Sequence, residues 1–213
     1  RSPSRGLGDV YKRQLEYMNP GGSVKDRIGK YICQKAMDDG LLKKGGTIIE
    51  ATSGNTGVGI CLFASVNECQ AVFVMADKQS KEKIDALKGM GAQVVLCPTD
   101  VEPEDPRSYY SVAKVLSEKV PNSFYANQYH NQDNPDSHFY STGPEIYEQT
   151  EGKFDTFVAG VGTGGTISGT TRFLKSKMPN LKSIGVDIEG SILAHYHKTC
   201  LLYTSDAADE EDS

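Results

Sequence analysis

Twice in this chain a short apolar run ends in a turn of glycines and small hydroxyl residues that opens at once into a helical pattern. Thr47–Ala51 leads into Thr52-Ser53-Gly54-Asn55-Thr56-Gly57, and Thr156–Val161 leads into Gly162-Thr163-Gly164-Gly165-Thr166. A strand that feeds a helix must return to a parallel neighbour, so these units predict an α/β fold with a mostly parallel sheet. Ala71–Met75, Gln93–Leu96 and Ser183–Val186 read as further buried strands, and Phe124–Ala126 as one more. Helices fill the gaps. Ser23 opens the first, with Asp26 in capping-box spacing and Gly40 as its stop. The others run from Asn55, over Ser80–Met90, Tyr109–Val120 and His138–Thr150, and over Ile167–Met178 before Pro179. Pro98–Asp105 reads as an acidic surface loop.

Composition narrows the function classes. At 38% hydrophobic and 24% charged, 213 residues hold material for an ordinary core. A formal charge of −5 disfavours nucleic acid as a partner, and no apolar run is long enough to span a membrane. Cys33, Cys61, Cys69, Cys97 and Cys200 lack CxxC spacing, which points to reduced thiols and a cytoplasmic protein. His130, His138, His195 and His197 match no metal-ligand spacing, and no metal is expected. Residues 1–14 and 200–213 resemble translated adapter sequence and are read as non-native flanks.

Four segments carry chemistry. Gly21-Gly22-Ser23 places Lys25 in the first turn of a helix, where the positive end of the macrodipole disfavours a second positive charge. That field, with Arg27 close by, is expected to lower the amine pKa and favour a neutral nucleophile able to form a Schiff base. The turn Thr52–Gly57 offers hydroxyls and backbone N–H groups to one anion, a carboxylate or a phosphate. Gly160–Thr166 follows a strand and opens a helix, the setting for phosphate binding. It also satisfies GxGxxG over 160–165, with Asp187 past the next strand, so an NAD(P)-binding oxidoreductase is an alternative. The hydroxyls of Thr163 and Thr166 suit a terminal phosphate monoester better. Gln128, after the Phe124–Ala126 strand, offers an amide donor.

Together and in order, these segments resemble the fold-type II pyridoxal-phosphate enzymes, the tryptophan synthase β group, and within it the cysteine synthase / cystathionine β-synthase family. The similarity extends over nearly all of 15–199. It implies two open α/β domains, 15–131 with the cofactor lysine and substrate loop, and 132–199 as the start of a larger, truncated domain. Asp105–Val112 and Asp187–Leu193 are closer to the cystathionine β-synthase branch, although Ala76 and Ile188 stand where the family commonly has proline. The resemblance implies that Lys25 holds pyridoxal 5'-phosphate and later acts as general base and acid. Asn55 would meet the cofactor's phenolic oxygen, and Gly162, Thr163, Gly164, Gly165 and Thr166 its phosphate. Thr52, Ser53, Thr56 and Gln128 would hold the substrate carboxylate. The implied reaction is β-replacement, L-serine and L-homocysteine giving cystathionine and water, in a homodimer or higher oligomer. Cysteine synthase, with O-acetylserine and sulfide, is the alternative within the class. A later serine-bearing segment that meets the cofactor's pyridine nitrogen in the family is absent here. The chain is therefore expected to fold incompletely and to turn over little by itself.

Overall fold

A computed structural model describes residues 11–52, 54–189, 191 and 196. After a 3-10 turn at Glu16–Met18 come α1 (Lys25–Asp38), β1 (Thr47–Ala51), α2 (Asn55–Val66), β2 (Gln70–Ala76), α3 (Lys81–Gly89), β3 (Gln93–Cys97), α4 (Tyr109–Lys119) and β4 (Ser123–Tyr125). Then follow α5 (Asp133–Ser137), a π turn at His138–Thr142, α6 (Gly143–Thr150), β5 (Thr156–Gly160), α7 (Gly165–Lys177) and β6 (Lys182–Val186). The strands form one sheet in the order β3-β2-β1-β4 and a second pairing β5 with β6, all parallel. The expected α/β architecture is present.

Alternation along β1 divides its residues between two layers. Ile48 faces a core built with Ile28 and Ile32 of α1, Ile60 and Phe63 of α2, and Phe73 and Met75 of β2. Ile49 and Ala51 face the opposite layer, with Val74, Cys97 and Ala113 of α4. By the same parity Glu50 lies on the α1 side. Each fully buried Ile or Phe contributes roughly 1.5–3 kcal/mol, so the β1–β2 pair anchors the first sheet.

Gly29 and Gly59 let α1 and α2 touch backbone to backbone. A Cβ on Gly29 would lie 2.6 Å from the Gly59 carbonyl carbon, and one on Gly59 would lie 2.7 Å from the Lys25 carbonyl oxygen. Neither neighbour is a side-chain tip that can move aside. Gly59→Ala is expected to destabilise the chain by about 3 kcal/mol, the upper range for overpacking, and to displace Lys25. Urea denaturation reads the first effect; an unchanged midpoint would contradict this packing.

Two expectations need correction. β3, at the edge of its sheet, is only partly buried, with Leu96 49% exposed, and β5 and β6 are not buried strands: Val158, Ile184 and Val186 are 55%, 49% and 56% exposed. Among the described residues the β5–β6 sheet has only two strands, so few side chains are available to cover it. The helix expected over His138–Thr150 instead starts at Asp133 and passes through a π turn. Asn134-Pro135 reads as a break, yet proline is tolerated in a first helical turn, where its missing N–H has no partner to lose. Elsewhere boundaries moved by a residue or two. Val24 takes the N-cap position, Ser23 Oγ accepts the Lys25 N–H at 3.2 Å, and Asp26 reaches back to the Gly21 N–H.

Candidate active site

Strand order creates the site. β1, β2 and β3 proceed to one side of β1, whereas β4 pairs along its other edge. This reversal is a topological switch point, and the crevice beyond the carboxyl ends of β1 and β4 is where such sheets bind ligands. The Thr52–Gly57 turn leaves β1 there, and Asn127–Gln128 leaves β4 there, so residues far apart in sequence meet. Thr56 Oγ1 donates to Gln128 Oε1 at 2.6 Å.

Lys25 is the first residue of α1, as its sequence context requires. Its charge is felt at two buried groups, Glu50 of β1 and His138 of the π turn. Arg27, two residues further on, is held by carboxylates. Its guanidinium is paired with both Glu16 oxygens at 2.8 and 2.9 Å and with Glu145 at 2.8 Å.

The expected substrate residues are tightly held. Thr52, Thr56 and Gln128 are buried, and Thr52 Oγ1 accepts the Gly54 N–H at 3.1 Å. Gly54 adopts φ +146°, a backbone state open to glycine, and this bends the chain into α2. Asn55, in contrast, is exposed at the first position of α2. Ser53 lies outside the described residues.

Beneath the Gln128 loop sits Glu50, which sequence reasoning left among the core strand residues. It is fully buried, and its Oε1 accepts the Gln128 N–H at 3.3 Å. Burial pushes its pKa up to about 8, against the backbone N–H groups of Gln128 and Asn127 and the charge of Lys25. The carboxyl is therefore largely protonated at neutral pH. A glutamate inside an otherwise apolar strand, two residues before a polar turn, was the available signal.

The turn after β5 forms the other wall. Gly164 has φ +81°, and an added Cβ on Gly162 or Gly164 would meet nothing within 4 Å, so the turn is open on one side. Its threonines are backed by α5 and the π turn. Asn134 Nδ2 donates to Thr163 Oγ1 and to the Gln128 carbonyl, both at 2.9 Å. His138 Nε2 lies 3.2 Å from Thr166 Oγ1, and Nδ1 lies 2.8 Å from Thr142 Oγ1. Burial, aided by the charges of Lys25 and Arg27, lowers the His138 pKa to about 4, so the ring is neutral. His138 is thus a buried second support for the turn. Asn134 gave no sequence signal beyond an Asn-Pro pair. His195 and His197 lie outside the described residues.

An open glycine turn with hydroxyl donors, an exposed asparagine and a lysine at a helix start have the chemistry to hold a phosphate, a phenolic oxygen and an aldehyde. The donor set fits pyridoxal phosphate. No group of His, Cys, Asp and Glu among the described residues is arranged to hold a metal ion. No described helix is long and apolar enough to cross a membrane.

Comparison with known proteins agrees. The chain is 51% identical over 185 residues to a cystathionine beta-synthase of Apis mellifera, covering 87% of this chain and 36% of that protein. It is 40% identical to a cysteine synthase of Helicobacter pylori, covering 88% of this chain and 60% of the relative. The chain thus spans about a third of the length of the first and under two thirds of the second. The crystal structure of an O-acetylserine dependent cystathionine beta-synthase from Helicobacter pylori superposes with a TM-score of 0.79 at 40% identity, over 85% of this chain and 58% of that one. The family described as pyridoxal-phosphate dependent enzyme matches residues 3–203, and the chain belongs to that family.

Proposed function

We propose that this chain forms the lysine-bearing part of an enzyme that replaces the β-hydroxyl of L-serine with the thiol of L-homocysteine, giving cystathionine and water. The observation that carries this reading is the convergence of three distant segments. Thr56 binds Gln128, and Asn134 joins Gln128 to Thr163. When bound, pyridoxal phosphate supplies an aldehyde and an electron-withdrawing ring that takes up negative charge from the substrate α-carbon.

The remaining work falls to side chains. Lys25 is the amine that reaches the aldehyde and, once released, holds the proton taken from the α-carbon. Thr52, Thr56 and Gln128 hold the substrate carboxylate, so that the α-proton faces Lys25. Asn55 donates to the phenolic oxygen, and Gly162–Thr166 encloses the phosphate. The GxGxxG pattern is thereby assigned to a phosphate monoester rather than a dinucleotide.

The homocysteine branch draws support from Asp105–Val112. Tyr110 of that segment meets Tyr129 edge to face at 5.7 Å, beside Gln128. The test compares cystathionine formation from serine and homocysteine with cysteine formation from O-acetylserine and sulfide. It is run on the chain and on the longest reading frame that contains it. Preference for homocysteine is expected; preference for sulfide would make cysteine synthase the better reading.

A further inference from the structure

Asn134 is 2% exposed, yet it belongs to none of the motifs that carry the chemistry. Its orientation is fixed by its partners. The Gln128 carbonyl oxygen can only accept, so the nitrogen end of the amide must face it. The same nitrogen lies 2.9 Å from Thr163 Oγ1, so both N–H groups of Asn134 are committed. A hydroxyl that accepts from an amide keeps its own hydrogen for another acceptor. Thr163 stands between Gly162 and Gly164, on the turn whose outer side is open. Packing also fixes the amide: a Cβ on Gly165 would lie 1.9 Å from Asn134 Oδ1, which is buried without a hydrogen-bond partner. That orphaned oxygen has a cost, consistent with a side chain held for what its nitrogen does.

We propose that Asn134 is a positioning residue that aims the Thr163 hydroxyl at the cofactor's phosphate and, through the Gln128 carbonyl, ties the phosphate turn to the substrate-carboxylate loop. This rests on the reading of Gly162–Thr166 as the phosphate turn. One amide therefore spans the two sheets, since Gln128 follows β4 and Thr163 follows β5. A substitution at Asn134 must disturb phosphate recognition without touching the cofactor itself.

The test is the affinity of the chain for pyridoxal 5'-phosphate divided by its affinity for pyridoxal, which lacks the phosphate. Thr163→Ala and Asn134→Ala are each expected to lower that ratio about tenfold or more, the worth of one hydrogen bond to a charged group. Pyridoxal affinity itself should change less than about twofold, because its aldehyde and ring do not use this bond. The double variant should lose no more than either single one, because both changes remove the same aimed hydroxyl. Asn134→Leu preserves side-chain volume and should repeat the loss, which separates hydrogen bonding from a cavity. An unchanged ratio in the variants, or losses that simply add, would overturn the proposal. Should both Asn134 variants fail to bind pyridoxal, Thr163→Ala decides: an unchanged ratio there also overturns it. If the unsubstituted chain binds both compounds equally, the phosphate-turn reading itself fails, a different result from a clear preference that Asn134 does not influence.

Discussion

Lys25→Arg is expected to eliminate covalent attachment of pyridoxal phosphate altogether. Borohydride treatment of the unsubstituted chain with the cofactor should leave a pyridoxyl group on the peptide containing Lys25, located by mass spectrometry. Arginine keeps the positive charge and much of the length, so α1 should still form and circular dichroism should be unchanged. A guanidinium stays protonated under all working conditions, however, and offers no free amine to an aldehyde. The expected loss is complete rather than graded, because arginine offers no amine at the start of α1; Lys83, in the first turn of α3 with its side chain along Gly54, is not expected to take over. A pyridoxyl group found elsewhere in the unsubstituted chain, or retained in the arginine variant, would refute the role given to Lys25.

The second large effect concerns Glu50. Its pKa rises from an ordinary 4.5 to about 8 on folding, so between those values the native state holds a proton that the unfolded state has released. The sign follows directly: the contribution of Glu50 is greatest below about pH 4.5 and is lost as pH rises through about 8. Glu50→Gln keeps the shape and the acceptor for the Gln128 N–H, and removes the titration. Relative to the parent, the variant should gain about 2 kcal/mol or more of stability by about pH 9, with the gap closing toward about pH 5. His138 acts at the other end. Its pKa falls from 6.5 to about 4, so stability decreases in both proteins as pH drops through that range. Urea denaturation across pH measures both limbs. Parallel profiles for parent and variant above about pH 7 would show that Glu50 is not the buried neutral acid described here.

Local grammar reached far into this molecule. Strands β1, β2 and β3, the helices between them, Lys25 at the start of α1 and the glycine turns before α2 and α7 all follow from periodicity and turn chemistry, which operate over a few residues. Where the reading failed, the cause was tertiary. The exposure of Val158, Ile184 and Val186 depends on how many strands lie beside β5 and β6, which an apolar run does not encode. The ion pairs of Arg27 with Glu16 and Glu145 likewise join residues that no local pattern links.

By itself, then, the sequence determined a parallel α/β fold and the reactive vocabulary: one lysine, two hydroxyl-rich turns and a loop glutamine. Only the tertiary structure decided which of them meet. Placement of β4 on the far edge of β1 brings Gln128 to Thr56, and the packing of α5 against α7 brings Asn134 and His138 behind Thr163 and Thr166. Strand order and helix packing are set by which surfaces bury one another, and those contacts join residues too distant in sequence for any local pattern to record.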